Sequence, residues 1–537
     1  MENSLSASDI SLIYPESVLA DESGLVSPHA LSRQSVSALE LDFLIDLKTC
    51  DIGDFFTDDA ETLKYRQETF RDLSENPGIC PVLRRMVPFL TDITELRRLG
   101  SDLSSENEGY LYSITEVELY ISLLSLLHDE LLPFEKSVKS PAMAEFCKRI
   151  HILTESDYYR SLNEKLSELS SRVREIKSVT IGVNLDSRLR PESAGVLSVN
   201  NEPFKSGAAL DRILRLDFRS DDRTAIAKLR PFMKDQTENE KLALTYAFNN
   251  ALGDVFKSNI NSWKKVIRSY VLENTDFLIR MIPEIEFVTK AAELIGKLKD
   301  RGCPLCFPEI LPNEEKRFSA EGLVNPVVAL KVEDELVPND FTFDSDGMLF
   351  VITGPNRGGK SVITAAVGLA FAMAQLGLPI TAKSAALSPC DGIFTHFPQE
   401  SEDTIEKGRL GEECSRLNAI FDRITGQSLV LLDESLSSTG SFEGAYIASE
   451  VLAALSLIGC RGIFSTHLHD LAASVEKINA DCLPQGGVRI DNLVAEITDG
   501  RRSFRILRKM PDGKSYARDI AEKYGLSLDR LLSKIKK

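Results

Sequence analysis

Gly354-Pro355-Asn356-Arg357-Gly358-Gly359-Lys360-Ser361 fits the spacing G-x-x-x-x-G-K-[ST]. Glycines at these positions let backbone N–H groups turn inward around an anion, and the helix that follows adds its positive end. Lys360 is expected to reach the β- and γ-phosphates of a nucleoside triphosphate, and the Ser361 hydroxyl to hold Mg2+. Residues 354–361, with Val362 behind them, form the expected phosphate cradle. Downstream, the apolar run Leu429-Val-Leu-Leu ends in Asp433-Glu434. Asp433 is expected to support Mg2+, and Glu434 to orient or activate the attacking water. A third run, Gly462-Ile-Phe-Ser-Thr, ends in His467. That imidazole is placed to sense the γ-phosphate by a hydrogen bond that exists only before hydrolysis. His469 falls outside the site.

These groups need strands behind them and helices after them. From about Phe318 the chain alternates short apolar runs with helical ones, an α/β pattern. Met348–Thr353, Leu378–Ala382, Ser428–Leu432 and Gly462–Ser465 read as strands. Asp491–Thr498 and Arg501–Leu507 flank Asp499-Gly500, a hairpin signal.

The first 300 residues or so read mostly as helix. Tyr110, Ile114, Val117, Ile121, Leu124, His128 and Leu131 share one helix face, which makes His128 a core histidine. Phe256, Ile260, Trp263, Ile267, Tyr270, Asn274, Phe277 and Met281 keep the same spacing, as a helix of roughly 43 Å. Between these blocks, Val179–Asn184 and Gly195–Val199 read as strands and Asn200-Asn201 as a turn. Arg188, Arg190, Lys205, Arg212, Arg215 and Arg219 make that insertion locally basic.

The chain has 537 residues and a net charge of -18, which excludes a general polycation that coats nucleic acid or anionic membrane. Residues 501–537 run the other way, with 12 basic and 4 acidic residues. Nine scattered cysteines fit a reducing compartment, and Cys303-Pro-Leu-Cys306 lacks the second pair that a zinc site needs. The N-terminus has no positive region followed by an apolar one, and Val362–Ala382 is too interrupted to span a bilayer. The expectation is a cytoplasmic protein with no membrane partner.

GPNRGGKS, LVLLDES and FSTHLHDLA, in this order and spacing, resemble the nucleotide-binding domain of the MutS family of DNA mismatch repair proteins. Asn325-Pro-Val-Val328, Val337-Pro-Asn-Asp340, Leu376–Ala382, Asp391–Thr395 and Lys514-Ser-Tyr516 resemble further stretches of it. The helices from about Tyr65 resemble the family's lever and clamp region. The resemblance implies an α/β P-loop NTPase domain of the ABC type at the C-terminus, preceded by a mostly α-helical lever and clamp domain with a small β insertion. It implies an Mg2+-dependent ATPase and a homodimer, in which a signature loop of one subunit completes the ATP site of the other. DNA is the implied partner, structured or branched and held by backbone contacts.

Some positions depart from the family pattern. Gly53-Asp-Phe-Phe-Thr57 has Thr57 where a mismatch-reading motif needs Glu, so the mismatch-reading and connector domains are expected to be missing. Gly408-Arg409-Leu410-Gly411-Glu412 lacks the hydroxyl pair of the signature stretch. Leu336 stands where an aromatic packs on adenine, and Arg357 replaces an apolar residue. The expected division is an N-terminal lead (1–42), a helical lever and core (43–310) with a clamp-like insertion at about 177–216, and the ATPase domain (318–537). The other function consistent with the residues is a nucleotide-switched scaffold or ribosome-associated ATPase.

Overall fold

The structure is a computed structural model. It describes residues 10–19, 31–101, 106–174, 178–188, 191–200, 273–355, 357–398, 409–498 and 501–511, with a few isolated residues besides. It divides into two compact units. One holds residues 78–137 and 144–282. The other holds residues 8–77, 138–143 and 283–537, so residues 43–77, assigned from sequence to the helical half, pack with the C-terminal part.

In chain order the principal elements begin with α1 (Ala60–Glu75), α2 (Ile79–Ser101), α3 (Glu106–Glu130), α4 (Pro141–Glu155) and α5 (Asp157–Arg174). Then come β1 (Ser178–Leu185), β2 (Pro191–Asn200), α6 (Glu273–Arg280) and α7 (Ile282–Asp300). The α/β part runs β3 (Glu309–Ile310), β4 (Phe318–Leu323), α8 (Pro326–Lys331), β5 (Asn339–Phe343), β6 (Leu349–Thr353), α9 (Lys360–Gln375), β7 (Ser384–Leu387) and β8 (Ile393–His396). It continues with α10 (Arg409–Phe421), β9 (Leu429–Asp433), α11 (Ser441–Ile458), β10 (Arg461–Ser465), α12 (His469–Cys482), β11 (Ile490–Thr498) and β12 (Arg501–Arg508).

In the helical unit, α2 buries Leu83, Met86, Leu90 and Ile93, and α3 buries Val117, Ile121, Leu124 and Leu127. Each such side chain contributes about 1.5–3 kcal/mol. Arg97 of α2 pairs with Glu116 of α3 at 2.6 Å and also with Asp276 of α6, which ties three helices together. His128 does not belong to this core. It is exposed, with Nδ1 3.0 Å from Asp129, and Leu127 takes the inward position instead. The long apolar stripe falls on residues outside the described ones up to 272. Its end is α6, which stops at Arg280. Pro283, in the first turn of α7, has no N–H to carry the ladder back, so a new helix starts there. β1 and β2 pair antiparallel, with Gly182 opposite Gly195. The turn between them lies beyond Leu185, and Asn200 is the last residue of β2, paired with Ser178, rather than a turn residue. Of the basic residues in the insertion, Arg188 is described and exposed; the side chains of the others lie outside the described residues.

The C-terminal unit holds a six-stranded sheet in the order β8-β9-β10-β6-β11-β12. Its first five strands are parallel, and β12 pairs antiparallel at the edge. β6, β9 and β10 are buried along their whole length, as strands covered on both faces must be. β11 and β12 pair as the hairpin expected from the sequence, with Thr498 opposite Arg501; Asp499 and Gly500 lie outside the described residues. A second sheet runs β3-β7-β4-β5. Phe318, Phe341, Phe343, Phe350 and Phe371 pack ring on ring between the two sheets and α9, with centroids 5.0–6.4 Å apart.

Leu378–Ala382 is not a strand. Gly377 (φ 83°) ends α9 with paired bonds, its own N–H to the Ala374 carbonyl and the Leu378 N–H to the Met373 carbonyl. The next residues bury Leu378, Ile380 and Ala382; Ile380 forms an isolated bridge to Cys306, and Thr381 exchanges hydrogen bonds with Val324. Apolar content there reflects burial in a bend. Phe55 is likewise a core residue: it stacks on Phe287 with centroids 4.5 Å apart and presents no face to a ligand. Among the described residues one helix, α11, is long and apolar enough to cross a membrane; its buried positions include Ala448, Leu452 and Leu455, which pack in the sheet's core.

Candidate functional site

Parallel strands point their carboxyl ends the same way, and in open α/β sheets those ends carry the ligand. β6 leads into the loop 354–359, β10 into Thr466-His467 and β9 into Glu434-Ser435. Because β10 lies between β6 and β9, with strands about 4.8 Å apart, His467 must fall between the two outer loops. Backbone pairing extends past the strand ends and fixes this register: Thr466 N–H donates to the Ile352 carbonyl at 3.0 Å and Glu434 N–H to the Ser465 carbonyl at 2.8 Å.

The loop after β6 turns where its glycines allow. Gly354 has φ 140° and Gly359 has φ 97°. A Cβ on Gly354 would stand 2.7 Å from the Ala495 Cβ of β11, so only glycine fits there. Gly358 N–H closes the turn on the Pro355 carbonyl at 3.1 Å. Lys360, first residue of α9, is buried at 3% exposure. Its ammonium donates to the Gly354 carbonyl at 3.1 Å and the Pro355 carbonyl at 3.2 Å, and lies 3.5 Å from His467 Nδ1. Burial lowers its pKa, opposed by the charges of Glu434 and Asp433. Arg357 is exposed, with φ 59°. Asn356 lies outside the described residues.

His467 Nε2 is 2.8 Å from Glu434 Oε1. The neighbours assign one tautomer: Nε2–H donates to the carboxylate, and Nδ1 accepts from Lys360. The structure thus joins Lys360, His467 and Glu434 in one chain of hydrogen bonds. Asp433 is buried and its pKa is raised, chiefly by that burial. The Ser465 and Ser361 hydroxyls nearby oppose the rise, while among the described residues Asp433 Oδ1 and Ser465 Oγ have no hydrogen-bond partner. An orphaned carboxylate oxygen beside a serine hydroxyl is a hard oxygen donor set, which fits Mg2+.

Beside the loop after β6 is a cavity of about 220 Å3, lined among others by Val328, Leu336, Asn339, Gly359, Val362 and Phe504. Asn325 builds one wall. Its Oδ1 caps α8 by accepting from Val327 and Val328 N–H, and its Nδ2 donates to the Val362 carbonyl. Asn339 fastens β12 to the same wall, donating to the Phe504 carbonyl at 3.2 Å and accepting from Ile506 N–H at 2.7 Å. Phe504 has φ 58° and is half exposed at the rim. Sequence reasoning placed Leu336 here and missed Asn325, Asn339 and Phe504 as site residues. Asn325 carried a readable signal, the Asn-Pro start of a capped helix. Gly408, Lys514-Ser-Tyr516 and the Arg409 side chain lie outside the described residues.

The family model for MutS domain V matches residues 350–532. The model for the MutS2 N-terminal domain matches residues 58–301. The chain belongs to the MutS family. Relatives of this MutS-family chain include the DNA mismatch repair protein MutS of Clostridium kluyveri, 30% identical over 46% of this chain and 27% of that protein. MutS of Myxococcus xanthus is 34% identical over 38% of this chain and 22% of the relative. MutS of Synechocystis is 27% identical over 77% of this chain and 48% of the relative. The chain spans about half the length of a curated relative in the last match and about a quarter in the other two. The MutS domain V match covers all three strand-end loops from Gly354 onward, and the MutS2 match covers the helical unit.

Proposed function

We propose that the C-terminal unit is a P-loop ATPase of the ABC type and that the whole chain is an ATP-driven, DNA-binding member of its family acting as a homodimer. The observation that carries this is the bond chain from Lys360 through His467 to Glu434, which brings the three sequence-expected groups together at one sheet edge. Residues 354–362 cradle the triphosphate, with the Lys360 ammonium against its β- and γ-oxygens. Glu434 takes the proton of the attacking water. His467 keeps the carboxylate aimed by donating from Nε2 and reads the γ-phosphate through its link to Lys360. A divalent cation would be held by Ser361 and Asp433 and would supply neutralisation of the phosphate charge. The adenine base takes the apolar cavity beside Leu336 and Val362.

Two features support a second copy. Phe442, at 84% exposure, and Tyr446, at 65%, stand one turn apart at the start of α11, directly after the catalytic loop. Large aromatics so placed favour burial against a partner. DNA as the partner rests on the relatives' names, and structured or branched DNA held through phosphates is the form we favour, with affinity falling steeply with salt. The net charge of -18 favours one other reading, a nucleotide-switched scaffold or ribosome-associated ATPase. ATP turnover measured alone, with duplex, with a four-way junction and with ribosomes separates them. Stimulation by the junction is expected; stimulation by ribosomes alone would overturn the DNA reading.

A further inference from the structure

The turn right after β9, residues 434–439, has no glycine, yet Glu434 (φ 48°) and Leu436 (φ 63°) both adopt left-handed backbone. That conformation costs an ordinary residue roughly 1–2 kcal/mol, and it persists only where the surroundings enforce it. Leu436 is fully buried, which holds one side of the turn. The residue between them, Ser435, is buried at 3% and bonds to the side chain of His396, at the end of β8. Ser435 Oγ lies 2.6 Å from His396 Nδ1 and 3.2 Å from the His396 carbonyl oxygen. The two bonds are compatible when Nδ1–H donates to Oγ and the hydroxyl donates to the carbonyl.

His396 is 1% exposed, and its Nε2 makes no hydrogen bond among the described residues. On α10, Arg416 and the Glu413 carbonyl act on the ring, and Arg416 Nε and Glu413 Oε2 are also buried without hydrogen-bond partners among the described residues. Burial and the Arg416 charge push the imidazole down to about 4, so it is neutral at physiological pH. The Ser435 contact places the proton of the neutral ring on Nδ1, which leaves Nε2 as an acceptor facing α10.

We propose that His396 is a positioning residue for hydrolysis: through Ser435 it holds the left-handed turn that aims Glu434 at His467, and it connects that turn to α10. It touches neither nucleotide nor water and acts only through Ser435. This rests on the ATPase reading above. α10 packs on β8 where the ring faces Arg416 and Glu413, so that movement of α10 alters the aim of Glu434.

The test is steady-state and single-turnover hydrolysis of Mg·ATP by the full chain, with nucleotide affinity measured separately. His396→Ala is expected to lower kcat ~10- to 100-fold, as a misplaced catalytic group does. Nucleotide Kd should stay within about twofold, since the lost interaction is not one with the ground state. His396→Asn, whose amide nitrogen falls where Nδ1 stood, should recover most of the rate; His396→Gln should not. Ser435→Ala should match His396→Ala, and the double variant should be no slower than either, because the pair acts as a unit. The proposal is overturned by an unchanged kcat in His396→Ala, by losses that multiply in the double variant, or by a His396→Asn rate equal to that of His396→Ala. If His396→Ala does not fold, as read by circular dichroism and thermal melting, Ser435→Ala and His396→Asn carry the test with the same outcomes. A parental chain that fails to hydrolyse Mg·ATP overturns the ATPase reading and this proposal together; a working parent with unaffected variants overturns the positioning role alone.

Discussion

The loop after β6 and the loop after β9 leave one edge of the same sheet, and both need left-handed backbone. The first obtains it largely from glycine, at Gly354 and Gly359, with Arg357 the exception. The second places Glu434 and Leu436 there and holds them with a backbone bond to Ser465, a buried leucine and the His396–Ser435 pair. A cradle for an anion has to present bare N–H groups, which glycine permits. A base has to present a side chain, so its turn cannot be relaxed by removing one.

The largest effects should come from the groups that these loops present. Lys360→Ala is expected to abolish nucleotide binding, measured by equilibrium titration. Glu434→Gln should keep ATP bound while turnover falls by ~10^2- to 10^4-fold, the usual weight of a general base. Next is Gly354→Ala. Its Cβ would meet Ala495 at a conformation closed to alanine, so denaturant unfolding should show a loss of about 2–4 kcal/mol.

Leu436→Gly breaks the comparison from the other side. Relief of strain should not offset the lost burial, and a net loss of about 1–3 kcal/mol is expected in the same assay; a gain in stability would show that the second loop is not held by its packing. Gly359→Ala should cost less, about 1–2 kcal/mol, because nothing lies within 3.7 Å of the new Cβ and only φ 97° opposes it.

The smallest effect is expected away from both loops, at Glu284. Its carboxylate accepts from the Ser11 hydroxyl and the Leu12 N–H, each at 2.8 Å, and burial pushes its pKa up to about 7. A raised folded-state pKa means that this group favours folding most fully below its ordinary value of 4.5, and that the benefit is lost as pH rises through 7. Glu284→Gln imitates the protonated acid and should flatten that part of the melting profile between pH 5 and pH 8, with ATP turnover unchanged.

The same contrast explains what could be read from the sequence. The glycine loop, the Asp433-Glu434 pair, His467 and the pairing of β11 with β12 were legible because each is a local pattern of residues whose backbone or charge admits few uses. Leu378–Ala382 misled because apolar burial in a bend looks like a strand when only composition is seen. His128 misled because its heptad place was right but Leu127 beside it faced inward. The second sheet went unread, since β3 and β7 are short and their partners lie far apart in the chain. His396 and Ser435, 39 residues apart, meet only because β8 pairs with β9. No local pattern marks that contact. The strained turn it supports is legible only in backbone angles.

The most direct test is retention of radiolabelled ATP, with Mg2+, by Glu434→Gln alongside the parent and Lys360→Ala. The account predicts stoichiometric, unhydrolysed ATP on Glu434→Gln, hydrolysed product from the parent and nothing held by Lys360→Ala. Hydrolysis by Glu434→Gln at the parental rate, or full retention by Lys360→Ala, would contradict it.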